Sequence, residues 1–262
     1  TRYTLRHMPA PEPAVSYFPA PDSTRLAYRE VGEGRPLILL HGALGNGTQW
    51  LHHGHAEAFA ARGHRVILPD FRGHGSSAKP QDAAFYPADV LADDTFALLK
   101  HLGLEDYDLG GYSLGARIVI RLLVRGAAPG RAVAGGQGMQ QVLGFGGGVG
   151  RMLRRIVDAT EPFEPGSPDE RFASWFRSGD QDPVALLHVL ESLAPTPAED
   201  LARVQVPTLV VMGTEDERAE SVDALVAALP RATKVSVPGN HEQAAGSPEF
   251  LAAMLEFLGD GD

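Results

Sequence analysis

Short apolar runs alternate with longer amphipathic segments along most of this chain, and that alternation leaves few folds open. Leu37-Ile38-Leu39-Leu40, Val66-Ile67-Leu68 and Thr208 to Met212 are continuous runs, the pattern of strands buried on both faces. Tyr107 to Gly110, Arg131 to Ala134 and Lys234 to Val237 are shorter strand candidates. Thr48 to Arg62, Ala88 to Leu102, Leu114 to Val124, Ser221 to Leu229 and Pro248 to Leu258 read as helices. Thr48 is placed to cap the first of them, and Gly63 and Gly103 stand just past the ends of the first two. Strands alternating with helices build βαβ units, so the expected class is α/β, a mostly parallel sheet flanked by helices. Ser16 to Ala20 and Arg25 to Val31, around a Pro-Asp-Ser-Thr turn, predict an antiparallel hairpin at the sheet edge.

The alternation stops between Met139 and Val204, where the chain is helical and loop-like with no further strand-helix repeat. We therefore expect a core formed by residues 1–138 and 205–262 and an insertion, 139–204, lying over the sheet. Phe145, Phe163, Phe172, Trp175 and Phe176 fall in the insertion, with Leu186, Leu187 and Leu190. A pocket roofed by such residues, with Phe145, Trp175 and Phe176 as its lining, is expected to be mainly hydrophobic and to favour uncharged groups.

Composition removes several classes of function. A net charge of −10 gives no field to hold nucleic acid or an anionic membrane, so neither is an expected partner and a small-molecule substrate is. With no cysteine, disulfides, thiolate metal sites and cysteine nucleophiles are excluded. No run approaches the ~18 apolar residues of a membrane span. Thr1 to Ala14 lacks the apolar stretch of an intact signal peptide, and a cytoplasmic location is the expectation.

Gly111-Tyr112-Ser113-Leu114-Gly115 fits G-x-S-x-G and sits where a predicted strand meets a predicted helix, which is the context that motif requires. The turn is so tight that the residues two before and two after the serine must be small. Ser113 then stands above the sheet edge at the positive end of a helix dipole. A serine hydroxyl is a weak nucleophile until a base takes its proton. Of ten histidines, only His241 directly follows a predicted strand and precedes a helix, which puts it on the same sheet edge as Ser113.

That base needs an acid to fix its tautomer and stabilise the imidazolium. After the strand ending at Met212 the chain reads Gly213-Thr214-Glu215-Asp216-Glu217, and Asp216 is the chosen acid, with its neighbours forming a solvated acidic turn. The segment after the preceding strand has no acidic residue before Asp158. An oxyanion hole needs two backbone N–H donors. Leu114, just after the nucleophile, supplies one, and Ala43, in the loop His41-Gly42-Ala43-Leu44-Gly45-Asn46, supplies the other.

Rival motifs fail on their chemistry. Gly42 to Gly47 has phosphate-loop spacing, but Thr48 and Gln49 stand where a lysine and a hydroxyl residue are needed. Gly144 to Gly150 misses dinucleotide-loop spacing and reads instead as a hinge at the entrance to the insertion. His52 and His55 share a helix face, but no third ligand is evident, so no metal is expected.

Taken together these segments resemble the α/β-hydrolase family over nearly the whole chain. The loop His41-Gly42-Ala43, the turn Asp70-Phe71-Arg72-Gly73-His74-Gly75-Ser76-Ser77, the elbow at Ser113, the Glu215-Asp216 loop and Gly239-Asn240-His241 carry the resemblance. The order Ser113, Asp216, His241 is the order that family uses. The resemblance implies a serine-nucleophile, esterase-like enzyme with no cofactor, a structural turn at Asp70 to Ser77, and a cap over 139–204. Carboxylic ester hydrolysis is the leading expectation. Thioester hydrolysis, C–C bond hydrolysis or cofactor-free perhydrolysis would use the same residues, and a non-enzymatic receptor is a further alternative. Dehalogenases and epoxide hydrolases of similar fold place Asp where Ser113 stands, which argues against both.

Overall fold

A computed structural model describes residues 12–144 and 148–261. The chain begins with β1 (Ser16–Pro19), β2 (Arg25–Val31), β3 (Arg35–Leu40), α1 (Gln49–His52), α2 (His55–Ala60) and β4 (His64–Asp70). It continues through α3 (Val90–Leu102), β5 (Asp108–Tyr112), α4 (Leu114–Val124) and β6 (Ala132–Gly135). Five helices then intervene: α5 (Met139–Val142), α6 (Gly148–Val157), α7 (Pro168–Ser178), α8 (Pro183–Glu191) and α9 (Ala198–Leu201). β7 (Thr208–Gly213), α10 (Val222–Ala228), β8 (Ala232–Val237), α11 (His241–Ala245) and α12 (Pro248–Leu258) complete it.

Among the described residues the strands join one sheet in the order β1-β2-β4-β3-β5-β6-β7-β8. β1 and β2 pair antiparallel, β2 pairs antiparallel with β4, and the remaining pairs are parallel. The expected α/β class and edge hairpin are therefore present.

The apolar runs are buried on both faces by simple alternation. Ile38, Leu40, Ile67, Val210 and Met212 enter one core with α3, α4 and α10. Leu37, Leu39, Val66, Leu68, Leu209 and Val211 enter the other with Trp50, Phe59, Phe250 and Met254. A strand period of two explains why unbroken apolar runs are needed here. The helices between β6 and β7 have a separate apolar cluster, Leu153, Phe176, Leu186 and Leu187, against which Leu44 of the β3 loop packs.

Two helix boundaries differ from expectation. The segment 48–62 is two short helices, because Gly54 adopts a left-handed φ of 71° between them. Thr48 does not cap its helix; its hydroxyl instead donates to Asn46 Oδ1 at 2.7 Å. The next helix starts at Val90, since Asp89 sits at φ 67° with its carboxylate held by Arg121 Nε at 2.8 Å. No helix of the described residues is long and apolar enough to cross a membrane.

β3 lies between β4 and β5, so the chain leaves it on one side for β4 and returns on the other at β5. Crevices open at the carboxyl ends of strands where the order reverses in this way. The loops after β3 and β5, which carry Ala43 and Ser113, meet at that crevice.

Candidate active site

Ser113 is at φ 55°, ψ −115°, a conformation a non-glycine residue rarely holds unless its surroundings fix it. Those surroundings are backbone. A Cβ on Gly111 would lie 2.4 Å from the carbonyl carbon of Gly115, and one on Gly115 would lie 2.1 Å from Leu40 O. Only hydrogen fits at either position, which is the physical content of the small-residue spacing. The turn is secured by Ser113 N–H donating to Gly135 O at 2.8 Å and by the Gln137 amide donating to Ser113 O at 2.5 Å.

The structure brings Ser113, His241 and Asp216 together. Ser113 Oγ is 2.9 Å from His241 Nε2, and His241 Nδ1 is 2.6 Å from Asp216 Oδ2. His241 is the first residue of α11, whose cap is the side chain of Asn240. Behind it, Tyr112 packs against the imidazole at 5.2 Å between ring centres, the rings tilted by 39°, and donates its hydroxyl proton to His241 O at 2.6 Å. Burial pushes the Asp216 carboxyl up, but the hydrogen bond from His241, the Arg218 N–H and the Arg218 charge outweigh it and hold the group below its usual value. Asp216 is thus a carboxylate, buried while Glu215 and Glu217 are exposed.

Leu114, at the start of α4, and Ala43 both line the cavity beside Ser113, and the backbone N–H of each has no protein acceptor among the described residues. The Ala43 loop is held on several sides. Gly42 N–H donates to Gln49 Oε1 at 3.0 Å, and Gly47 N–H donates to Asp70 Oδ1 at 2.7 Å. Phe71 N–H donates to His41 Nε2 at 3.0 Å, so the proton of His41 is on Nδ1, which faces Gly42 O at 2.8 Å. Burial, with His74 nearby, pushes His41 down to about 3, so it is neutral. His74, also buried and pushed down by it, lies 2.8 Å from Ala43 O and 3.0 Å from Arg72 O. A neutral imidazole carries one N–H, and we assign it to the shorter contact, Ala43 O.

The turn expected at Asp70 to Ser77 ties this loop to the hairpin. Asp70 also accepts from Arg29 at 3.1 Å and from Ser76 N–H at 2.8 Å. Arg72, almost wholly buried, holds Asp94 with two hydrogen bonds of 2.8 and 3.0 Å.

A cavity of about 410 Å³ opens above Ser113, Leu114 and Ala43. Its lining departs from the expected apolar roof. Leu187, Leu190 and Val149 contribute, but so do Gln137, Gln141, Arg117, Arg151, Arg154 and Arg218. Phe145 lies outside the described residues. Trp175 is 42% exposed, and Phe176 is buried in the cluster beneath α6 and α8. Phe176 lines a different cavity, of about 640 Å³, whose lining does not include Ser113. Aromatic content could not separate residues that pack the inserted helices on one another from residues that face the site.

Sequence reasoning missed Tyr112, Gln137, His74 and Arg117. For Arg117 a signal was present: Ser113, Arg117, Arg121 and Arg125 recur at the four-residue interval that shares one helix face. Among the described residues no three His, Asp or Glu side chains cluster closely enough to hold a metal ion.

Residues 35–131 match the family model described as "alpha/beta hydrolase fold". AB hydrolase superfamily protein YisY of Bacillus subtilis (strain 168) is 35% identical over 109 residues, 42% of this chain and 39% of that one. Non-heme chloroperoxidase CPO-A1 of Kitasatospora aureofaciens is 36% identical over 104 residues, 40% of this chain and 36% of that one. The matched segment thus spans less than half the length of either relative. The structure of the enol-lactonase from Burkholderia xenovorans LB400 superposes with a TM-score of 0.75 at 20% identity, covering 93% of this chain and 99% of that one. That likeness extends the agreement in fold beyond the segment matched in sequence, and the chain has the α/β-hydrolase fold.

Proposed function

We propose that this protein hydrolyses carboxylic esters through an acyl-Ser113 intermediate, with residues 139–204 capping a core of 1–138 and 205–262. Ser113 Oγ attacks the ester carbonyl while His241 Nε2 takes its proton, and the carbonyl oxygen becomes an oxyanion held by the Ala43 and Leu114 N–H groups. The C–O bond to the alcohol breaks as His241 returns the proton to the leaving oxygen. Water, deprotonated by His241, then attacks the acyl carbon, the bond from that carbon to Ser113 Oγ breaks as His241 returns the proton to Oγ, and the carboxylic acid leaves. Asp216 keeps the His241 proton on Nδ1 and stabilises the imidazolium that forms twice per turnover. No step calls for a metal or an organic cofactor.

The unbroken chain from Ser113 through His241 to Asp216, with contacts of 2.9 and 2.6 Å, is the observation that carries this reading. A nucleophile and its base within hydrogen-bond reach, with the base oriented by a third group, is the signature of an activated hydroxyl. Similarity to a chain named a chloroperoxidase favours one second reading, in which hydrogen peroxide replaces water at the acyl-enzyme and releases a peroxy acid.

Stopped-flow hydrolysis of a p-nitrophenyl ester tests the proposal. A burst of nitrophenol equal to the enzyme concentration, lost in Ser113→Ala, is expected. A Ser113→Ala variant that turns over as the wild type does would remove Ser113 from the reaction, and a folded protein inert to every ester would favour the receptor alternative.

A further inference from the structure

The cavity above Ser113 is opposite in sign to the chain that forms it. The protein carries a net charge of −10, yet four arginines line this cavity with Glu191 as their one carboxylate. Glu191 is engaged by Arg154 at 2.5 Å, and Arg218 lies 3.5 Å from Asp216 Oδ1. Arg117 and Arg151 have no carboxylate partner among the described residues.

Arg117 is the more informative of the two. It lies on one face of α4 with Arg121, and Arg125 follows one turn further at the helix's C-terminal cap; the three are used differently. Arg121 grips Asp89 with contacts of 2.5 to 2.9 Å, and Arg125 pairs with Asp93 at 2.7 Å. Arg117, one turn from the nucleophile, is half-buried and makes a single long contact, 3.4 Å, to Ala194 O. Burial pushes its guanidinium below the usual value, with only distant opposition from Asp89. A desolvated guanidinium with most of its five donors unspent is costly unless something anionic completes it.

We propose that Arg117 is a specificity-determining residue that binds a carboxylate on the acyl portion of the substrate, so that the site takes esters or lactones of acids bearing a second, free carboxylate. Four residues of helix separate Ser113 from Arg117 by about 6 Å along the axis, which suits a carboxylate a few bonds from the reacting carbonyl. Arg151 adds charge at the mouth, while Leu187 and Leu190 contact the connecting methylenes. The planar fork of one guanidinium matches one carboxylate. This inference rests on the acyl-transfer reading for the reaction but not for the binding.

Binding and turnover can therefore be read separately. Calorimetric titration of the Ser113→Ala protein with monomethyl glutarate, and with its neutral amide analogue, measures the anion site without turnover. The charged probe is expected to bind about 10- to 100-fold more tightly, the range of a charge-assisted hydrogen bond. The preference should shrink as salt is raised and vanish with Arg117→Gln, while Arg117→Lys restores part of it. Equal binding of the two probes, or a preference that survives Arg117→Gln, overturns the proposal. Should Arg117→Gln fold poorly, the wild-type preference and its salt dependence still decide. Hydrolysis of the two probes by the unmodified enzyme reads the reaction alone: selective binding without hydrolysis leaves the anion site and removes the acyl-transfer reading, whereas hydrolysis with equal binding does the reverse.

Discussion

Ser113 Oγ and His241 Nε2 lie 2.9 Å apart although 128 residues separate them in the chain. Each comes from the carboxyl end of a different parallel strand, and the sheet order brings those ends to one edge. Asp216 reaches the same edge from β7, so three loops with no sequence proximity converge because parallel strands all point one way.

Asp216→Asn keeps the shape of the acid but offers an amide that supports the wrong tautomer of His241. Turnover should fall by about 10³- to 10⁴-fold, as in the serine triad where that change is known. Glu215→Gln and Glu217→Gln, both exposed, should change it little. Steady-state assays of the three on one ester distinguish them, and a crippled Glu215 or Glu217 variant beside an active Asp216→Asn would reassign the acid.

Gly115→Ala should cost about 3 kcal/mol or more, or prevent folding, because the neighbour that must yield is backbone rather than a flexible side chain. Its Cβ would meet Leu40 O at 2.1 Å, whereas a Cβ on Gly148 would meet nothing within 4 Å. Thermal melts of Gly115→Ala and Gly148→Ala should therefore diverge sharply. A Gly115→Ala protein melting with the wild type would mean the elbow is looser than drawn.

How much of this was legible in the sequence depends on how local the cause is. The strands were, because burial on both faces demands unbroken apolar runs. Ser113 was too, because the constraint on Gly111 and Gly115 acts within five residues. The break at Gly54 was not, since one glycine inside a helical pattern is usually tolerated and nothing in the pattern marks the left-handed φ it adopts here. The lining of the site cavity was least legible. Whether Phe176 faces Ser113 or its own helical cluster is decided by how α6, α7 and α8 pack, which no local pattern encodes.

His74 is expected to act on the reaction only through Ala43, whose carbonyl it holds at 2.8 Å. His74→Leu should lower kcat by about tenfold with a smaller change in KM, since a loosened oxyanion donor is felt in the transition state. Paired kcat and KM measurements, with a melting curve to confirm folding, check this. An unchanged kcat would reduce His74 to a packing residue.

His55 makes stability depend on pH. It is buried between Trp50 and Phe250, at 5.4 and 5.7 Å, and its Nδ1 has no partner among the described residues. Burial, with His53 adding to it, pushes its imidazole down to about 4. Between about pH 6.5 and 4 the unfolded chain binds a proton there that the folded chain refuses, so its stability is intact above that window and falls as pH drops through it. The loss is on the order of 2–3 kcal/mol by pH 4. Urea unfolding at several pH values should show a shallower decline for His55→Phe. Equal slopes in the two proteins would place the acid sensitivity elsewhere.

The proposed reaction turns on an activated Ser113 Oγ that forms a covalent bond with an electrophile, and active-site labelling reads that reactivity. The protein is treated with a fluorophosphonate, digested, and its peptides mapped by mass spectrometry. A single adduct on Ser113, absent from Asp216→Asn over the same exposure and from denatured protein, is the predicted result. Labelling at another serine, or none on folded protein, would contradict the account.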